Sequence, residues 1–166
     1  MIYPSKVYAG IADILNKSGA EYRLFTHKAA FTYADLAEIQ KETGFFGTEM
    51  KCMALEVDNR MIVYNTLQRE KINISAVKNA LNASKVVLAS VEALEENFKI
   101  KPGCMYPFGF DAQYDIYMNP NVYNEEWVLF SPALPTRTIQ MKGEDFQKVF
   151  AFLKNNIFEP NDFSFI

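Results

Sequence analysis

The chain has 166 residues, 49% of them apolar and 22% charged, with a net charge of −3, one histidine and two cysteines. That length and balance suit one globular domain, expected to span residues 1–166. Two cysteines are too few for a disulfide scaffold, and a lone histidine without CxxC or HExxH spacing argues against a zinc site, so no metal and no cofactor are expected. The negative charge argues against gripping long duplexes by their phosphates, and leaves contact with a few nucleotides open.

No apolar run reaches the roughly 18 residues of a membrane span. The opening MIYPSKVYAG lacks the basic and apolar segments of a signal peptide, so a cytoplasmic protein with no membrane partner is expected. In chain order, SKVYAGIADILNKS (5–18) places Val7, Ile11, Ile14 and Leu15 on one helical face, with Ser5 as N-cap and Gly19 as stop. YRLFTH (22–27) reads as a strand. TYADLAEIQKET (32–43) reads as a helix capped by Thr32, with Asp35 favourable in its first turn and Gly44 ending it. KCMALEV and MIVYNTL flank the turn 58–60 as a hairpin.

Residues 73–83 form a short helix, KVVLAS (85–90) a buried strand, and SVEALEEN (90–97) a helix capped by Ser90. After a loop at 101–111, strands are expected at 113–118, 126–131 and 136–141. GEDFQKVFAFLKNN (143–156) reads as a closing helix with Phe146, Val149, Phe150 and Leu153 inward, followed by an irregular tail at 159–166. Alternating helices and strands combined with a hairpin imply a mixed α/β domain.

Four features carry candidate chemistry. Lys51 opens an apolar strand after a glycine turn, where its ammonium can meet a phosphate or carbonyl; a solvated, snorkelling strand-end lysine is the alternative. His27 has no obvious carboxylate orienter, which favours a structural role over a catalytic base. Cys52 and Cys104 lack a neighbouring histidine and read as small buried hydrophobes before they read as nucleophiles. The loop KPGCMYPFGFD carries Gly103 and Gly109 for close backbone approach, with Pro102 and Pro107 for stiffness; it is either a turn or a frame that aims backbone N–H groups at an anion. Tyr22, Phe46 and Tyr106 are candidate base-stacking side chains.

Taken in order, EYRLFTH, T-x-x-D-L-A at 32–37, G-T-E-M-K at 47–51, G-C-M-Y-P-F-G at 103–109 and S-P-A-L-P-T-R-T-I at 131–139 resemble the YbaK/ProX superfamily, the prolyl-tRNA synthetase-associated editing domains. The resemblance runs from about Glu21 to Val149. It implies a curved, mostly antiparallel mixed sheet with helices packed outside. It also implies hydrolysis of the ester joining a wrong, small amino acid to the 3′ end of a tRNA, such as a proline tRNA. The matches it transfers are Lys51 and Gly103 as catalytic residues and Pro107 in the pocket loop; His27, Cys52, Cys104, Met105 and Ser131 are the further substrate-binding candidates.

The implied partners are the aminoacyl-tRNA acceptor end and an aminoacyl-tRNA synthetase. Cys52 stands where alanine-specific members carry Asn and cysteine-specific ones Thr. Residues 131–136 also depart from the family's histidine and Asn-Thr pattern, so the amino acid removed is not transferred. Those departures motivate the alternative of a non-catalytic tRNA-end or protein-binding module. A thiol-dependent hydrolase using Cys52 or Cys104 is a third reading.

Overall fold

A hairpin of two long strands, β2 (Thr48–Val57) and β3 (Arg60–Leu67), organises the protein. The structure is a computed structural model that describes residues 4–159. Preceding the hairpin are α1 (Pro4–Ser18), β1 (Tyr22–Thr26) and α2 (Tyr33–Thr43); following it are α3 (Ile74–Ala80), β4 (Val86–Leu88) and α4 (Val91–Phe98). A long loop leads to β5 (Asp115–Met118), β6 (Val128–Phe130), β7 (Arg137–Met141), α5 (Phe146–Phe152) and β8 (Ile157–Phe158). The strands form one mixed sheet in the order β1-β7-β6-β2-β3-β5-β8, with β4 added to β2 beyond the end of β6. The β1–β7, β7–β6, β2–β3 and β2–β4 pairs are antiparallel; β2–β6, β3–β5 and β5–β8 are parallel.

Local chemistry sets the boundaries of α2. Thr32 and Asp35 form a reciprocal capping box: the Asp35 N–H donates to Thr32 Oγ1 (3.1 Å) and the Thr32 N–H to Asp35 Oδ2 (3.2 Å). Gly44, at φ 76°, ends the helix in the left-handed region with its N–H on the Gln40 carbonyl. Ser90 caps α4 through Ala93 as the sequence implies.

The apolar loop is explained by where it goes. Cys104, Met105, Tyr106 and Phe108 are buried in the main core with Ile11 and Leu15 of α1 and Phe146 and Phe150 of α5. Asn65 of β3, fully buried, donates to the Pro107 carbonyl (2.9 Å) and fixes the loop to the sheet.

Three expectations are corrected. Helix α1 already includes Pro4, which puts Ser5 inside it rather than at its cap. The strand at 85–90 contracts to three residues, and its Val87 and Leu88 are 38% and 53% exposed, because β4 lies at the sheet margin. The closing helix ends at Phe152, not Asn156, after a 3₁₀ turn at Gly143–Asp145. Asn155 turns inward there and donates to the carbonyls of Asp111 and Tyr114 (both 2.9 Å), which frees Ile157–Phe158 to pair with β5. The expected tail at 159–166 lies outside the described residues apart from Glu159, whose carboxylate accepts from the Tyr123 hydroxyl.

Candidate active site

The cavity forms where the sheet comes apart. Strand β6 pairs with β2 only at Thr48 and Glu49, and β4 only at Leu55–Val57, so the edge of β2 between them is unpaired by any strand among the described residues. Strand register decides which peptide groups reach that edge. The Glu49 carbonyl accepts from the Gln68 N–H (2.9 Å), so the odd-numbered residues of β2 bond towards β3 and the even-numbered ones turn outward. Accordingly, the Met50 carbonyl accepts from the Tyr33 hydroxyl (3.0 Å) and the Ala54 carbonyl from the Ala89 N–H (3.0 Å). Cys52 lies between them, its peptide N–H and C=O facing a cavity of about 360 Å³.

Opposite this edge, the loop before α2 meets the KPGCMYPFGFD loop. Gly103 has φ 87°, and a Cβ added there would sit 2.3 Å from the Phe31 carbonyl oxygen. Only glycine permits that approach. Pro102, Gly103 and Met105 line the cavity on this side, Phe31 and Tyr33 on the α2 side, and Ser131, Arg137 and Thr138 along β6 and β7.

Six of the eight residues singled out in the sequence line this one cavity: His27, Lys51, Cys52, Gly103, Met105 and Ser131. Cys104 and Pro107 do not; both are buried, and the Cys104 N–H is used on the Lys101 carbonyl (3.1 Å). The Lys51 ammonium donates to the Glu70 carbonyl (2.6 Å), which holds it at the end of the hairpin. The Glu70 carboxylate is itself held by Thr66, Asn119 and Asn121.

Both nitrogens of His27 are engaged: Nδ1 lies 2.7 Å from the Lys28 carbonyl and Nε2 2.7 Å from Thr138 Oγ1. A carbonyl only accepts, so Nδ1 carries a proton, and the ring is a structural tie between β1 and β7. Ser131 Oγ donates to the Leu134 carbonyl (3.4 Å) across the turn that follows β6.

Burial, reinforced by the Glu49 carboxylate, pushes the Cys52 thiol far up. Burial also pushes the Cys104 thiol up. Neither site favours the thiolate that a nucleophilic cysteine needs. Among the described residues no group of three or more His, Cys, Asp or Glu side chains could hold a metal.

Sequence reasoning missed Glu49, Tyr33, Arg137 and Thr138. Glu49 stands two residues before Lys51 and shares its face of β2 by strand alternation. Its Oε1 is buried with no hydrogen-bond partner, and burial raises its carboxyl to about 7. A charged residue at that spacing on an apolar strand was a signal available in G-T-E-M-K. Burial, with smaller contributions from Cys52 and Glu49, also pushes the Tyr33 hydroxyl up. Of the stacking candidates, Tyr106 is 3% exposed and stacked on Phe110, Tyr22 bonds Asn16, and Phe46 does not line the cavity. The exposed aromatic and apolar side chains on the cavity wall are instead Phe31, Tyr33 and Leu88.

Comparison with solved structures gives the fold a context. A hypothetical protein superimposes with a TM-score of 0.74 at 12% identity, covering 90% of this chain and 97% of the other. A candidate trans-editing enzyme for prolyl tRNA synthetase superimposes with a TM-score of 0.71 at 10% identity, covering 92% of this chain and 95% of the other. At such identities the likeness is one of fold. No curated protein matches the chain. Residues 27–149 match the aminoacyl-tRNA editing domain, most of the chain and the span that builds the cavity, so the protein belongs to the aminoacyl-tRNA editing domain family of YbaK-like proteins.

Proposed function

We propose that the protein is a trans-editing deacylase that hydrolyses the ester of a mischarged tRNA. The observation that carries this reading is the joint placement of Lys51 and the Gly103 loop around one cavity with the outward-facing Cys52 peptide group between them. An aminoacyl ester is already activated, so positioned donors and a water can suffice. Water oxygen adds to the ester carbonyl carbon, the carbonyl oxygen becomes an oxyanion, and the bond to the ribose oxygen breaks as that oxygen takes a proton. The products are a free amino acid and an uncharged tRNA.

The Cys52 N–H suits the oxyanion, and Lys51, with two donors beyond its bond to Glu70, suits the phosphate or ribose of the tRNA end. Gly103 sets how closely the loop approaches. Cys52 and Cys104 serve as wall and backing. The cavity's size, about 360 Å³, lies near the lower end of the roughly 300–1,000 Å³ of small-molecule sites, fitting an aminoacyl end rather than a duplex. That open volume favours turnover over a binding module, whose pocket side chains would fill. A small amino acid and a proline tRNA or similar acceptor complete the reading, with a synthetase as the partner that produces the error. Hydrolysis of a panel of mischarged tRNAs tests it: release by wild type with loss in Lys51→Ala supports the reading, and no release from any member overturns it.

A further inference from the structure

The catalytic reading assigns no role to Glu49, which lines the cavity. Glu49 is half-buried, and a buried carboxylate oxygen without a partner is unfavourable: buried polar atoms in folded proteins nearly always have one. Yet Glu49 Oε1 has none, and no ion pair among the described residues includes this side chain. Its obvious counter-charge is two residues away on the same face, but the Lys51 ammonium is drawn to the Glu70 carbonyl instead. The other titratable groups on the wall are Cys52 of β2, Tyr33 of α2, His27 beyond β1 and Arg137 of β7. Glu49 itself lines the cavity together with Cys52 and Tyr33, which puts its carboxylate in the same space as the Cys52 peptide group.

The missing partner is therefore a cation brought by the ligand. An aminoacyl ester carries one positive charge, its α-ammonium, attached to the carbon next to the scissile carbonyl. If the Cys52 N–H holds the carbonyl oxygen, a neighbouring carboxylate is positioned for that ammonium. We propose that Glu49 is the acceptor for the substrate's α-ammonium group and makes the site selective for aminoacyl esters with a free amine over N-acylated ones. This rests on the editing reading for the identity of the ligand and on the orphaned carboxylate for the recognition. It gives the enzyme a way to spare peptidyl-type esters, which have no such charge.

The test separates the two claims. Binding of 3′-(alanylamino)-3′-deoxyadenosine and of its N-acetyl form is measured calorimetrically on wild type, Glu49→Gln and Glu49→Asp, with circular dichroism confirming the fold. A charge-assisted hydrogen bond to a buried carboxylate corresponds to about 10- to 100-fold in affinity. Wild type is expected to prefer the free amine by that factor, Glu49→Gln to lose the preference while binding the N-acetyl form as before, and Glu49→Asp to keep part of it. Equal binding of both forms by wild type, or an equal loss for both forms in Glu49→Gln, overturns the proposal. Hydrolysis of alanyl-tRNA and N-acetyl-alanyl-tRNA is followed in parallel. Deacylation without amine dependence in wild type removes this inference and leaves the editing reading standing; amine-selective binding without deacylation of any mischarged tRNA does the reverse.

Discussion

Replacing Glu49 with glutamine should change how the protein's stability depends on pH. Burial raises the Glu49 carboxyl from its ordinary 4.5 to about 7. At about 1.4 kcal/mol per pH unit, that corresponds to about 3 kcal/mol against the fold once the group is ionised. Between those two values the folded chain keeps a proton that the unfolded chain has released, so folded-state proton binding exceeds that of the unfolded state. The stability associated with this proton is full below pH 4.5 and is lost as pH rises through about 7. Glutamine does not titrate. Chemical denaturation of both proteins from about pH 4.5 to about pH 8 should therefore show the variant gaining on wild type by about 3 kcal/mol across the range. Lys51, Cys52, Tyr33, His27 and Arg137 line the same cavity and are common to both proteins. A stability difference that stays flat with pH would refute the account of Glu49 as a largely desolvated carboxyl with one unpartnered oxygen.

Gly103→Val should be far more damaging than Cys104→Ser: the left-handed backbone and the contact with the Phe31 carbonyl imply a loss of about 2–4 kcal/mol and of activity, read by thermal unfolding and a deacylation assay. Changing both Cys52 and Cys104 to serine should leave hydrolysis largely intact, because burial holds both thiols protonated; abolition of the chemical step in a folded variant would point to a thiol mechanism. Asn65→Ala should destabilise the protein by about 1–3 kcal/mol by leaving the Pro107 carbonyl buried and unbonded, and an unchanged denaturation midpoint would show that the loop is held by packing alone.

Much of the architecture was legible because it is written in local chemistry. Thr32, Asp35 and Gly44 announce both ends of α2, and period-two alternation announces the hairpin. The closing helix ended early for a reason no local pattern carries: Asn155 satisfies two carbonyls of a loop far away in sequence. The site divides in the same way. Lys51, Cys52, Gly103 and Ser131 stand out by residue type and motif, whereas the cavity itself depends on β6 leaving β2 at Glu49 and β4 joining at Leu55. That gap is a property of non-local pairing. It leaves the outward-facing Cys52 peptide group without a strand partner among the described residues, and that consequence does not show in a single strand's sequence.

The most direct test of the central claim is the release of amino acid from a panel of mischarged tRNAs by wild type and Lys51→Ala under identical conditions. The account predicts turnover of at least one small aminoacyl ester by wild type and a fall of about 10²–10³ in rate for the variant. Equal rates for the two proteins, or no release from any member of the panel by wild type, would contradict it.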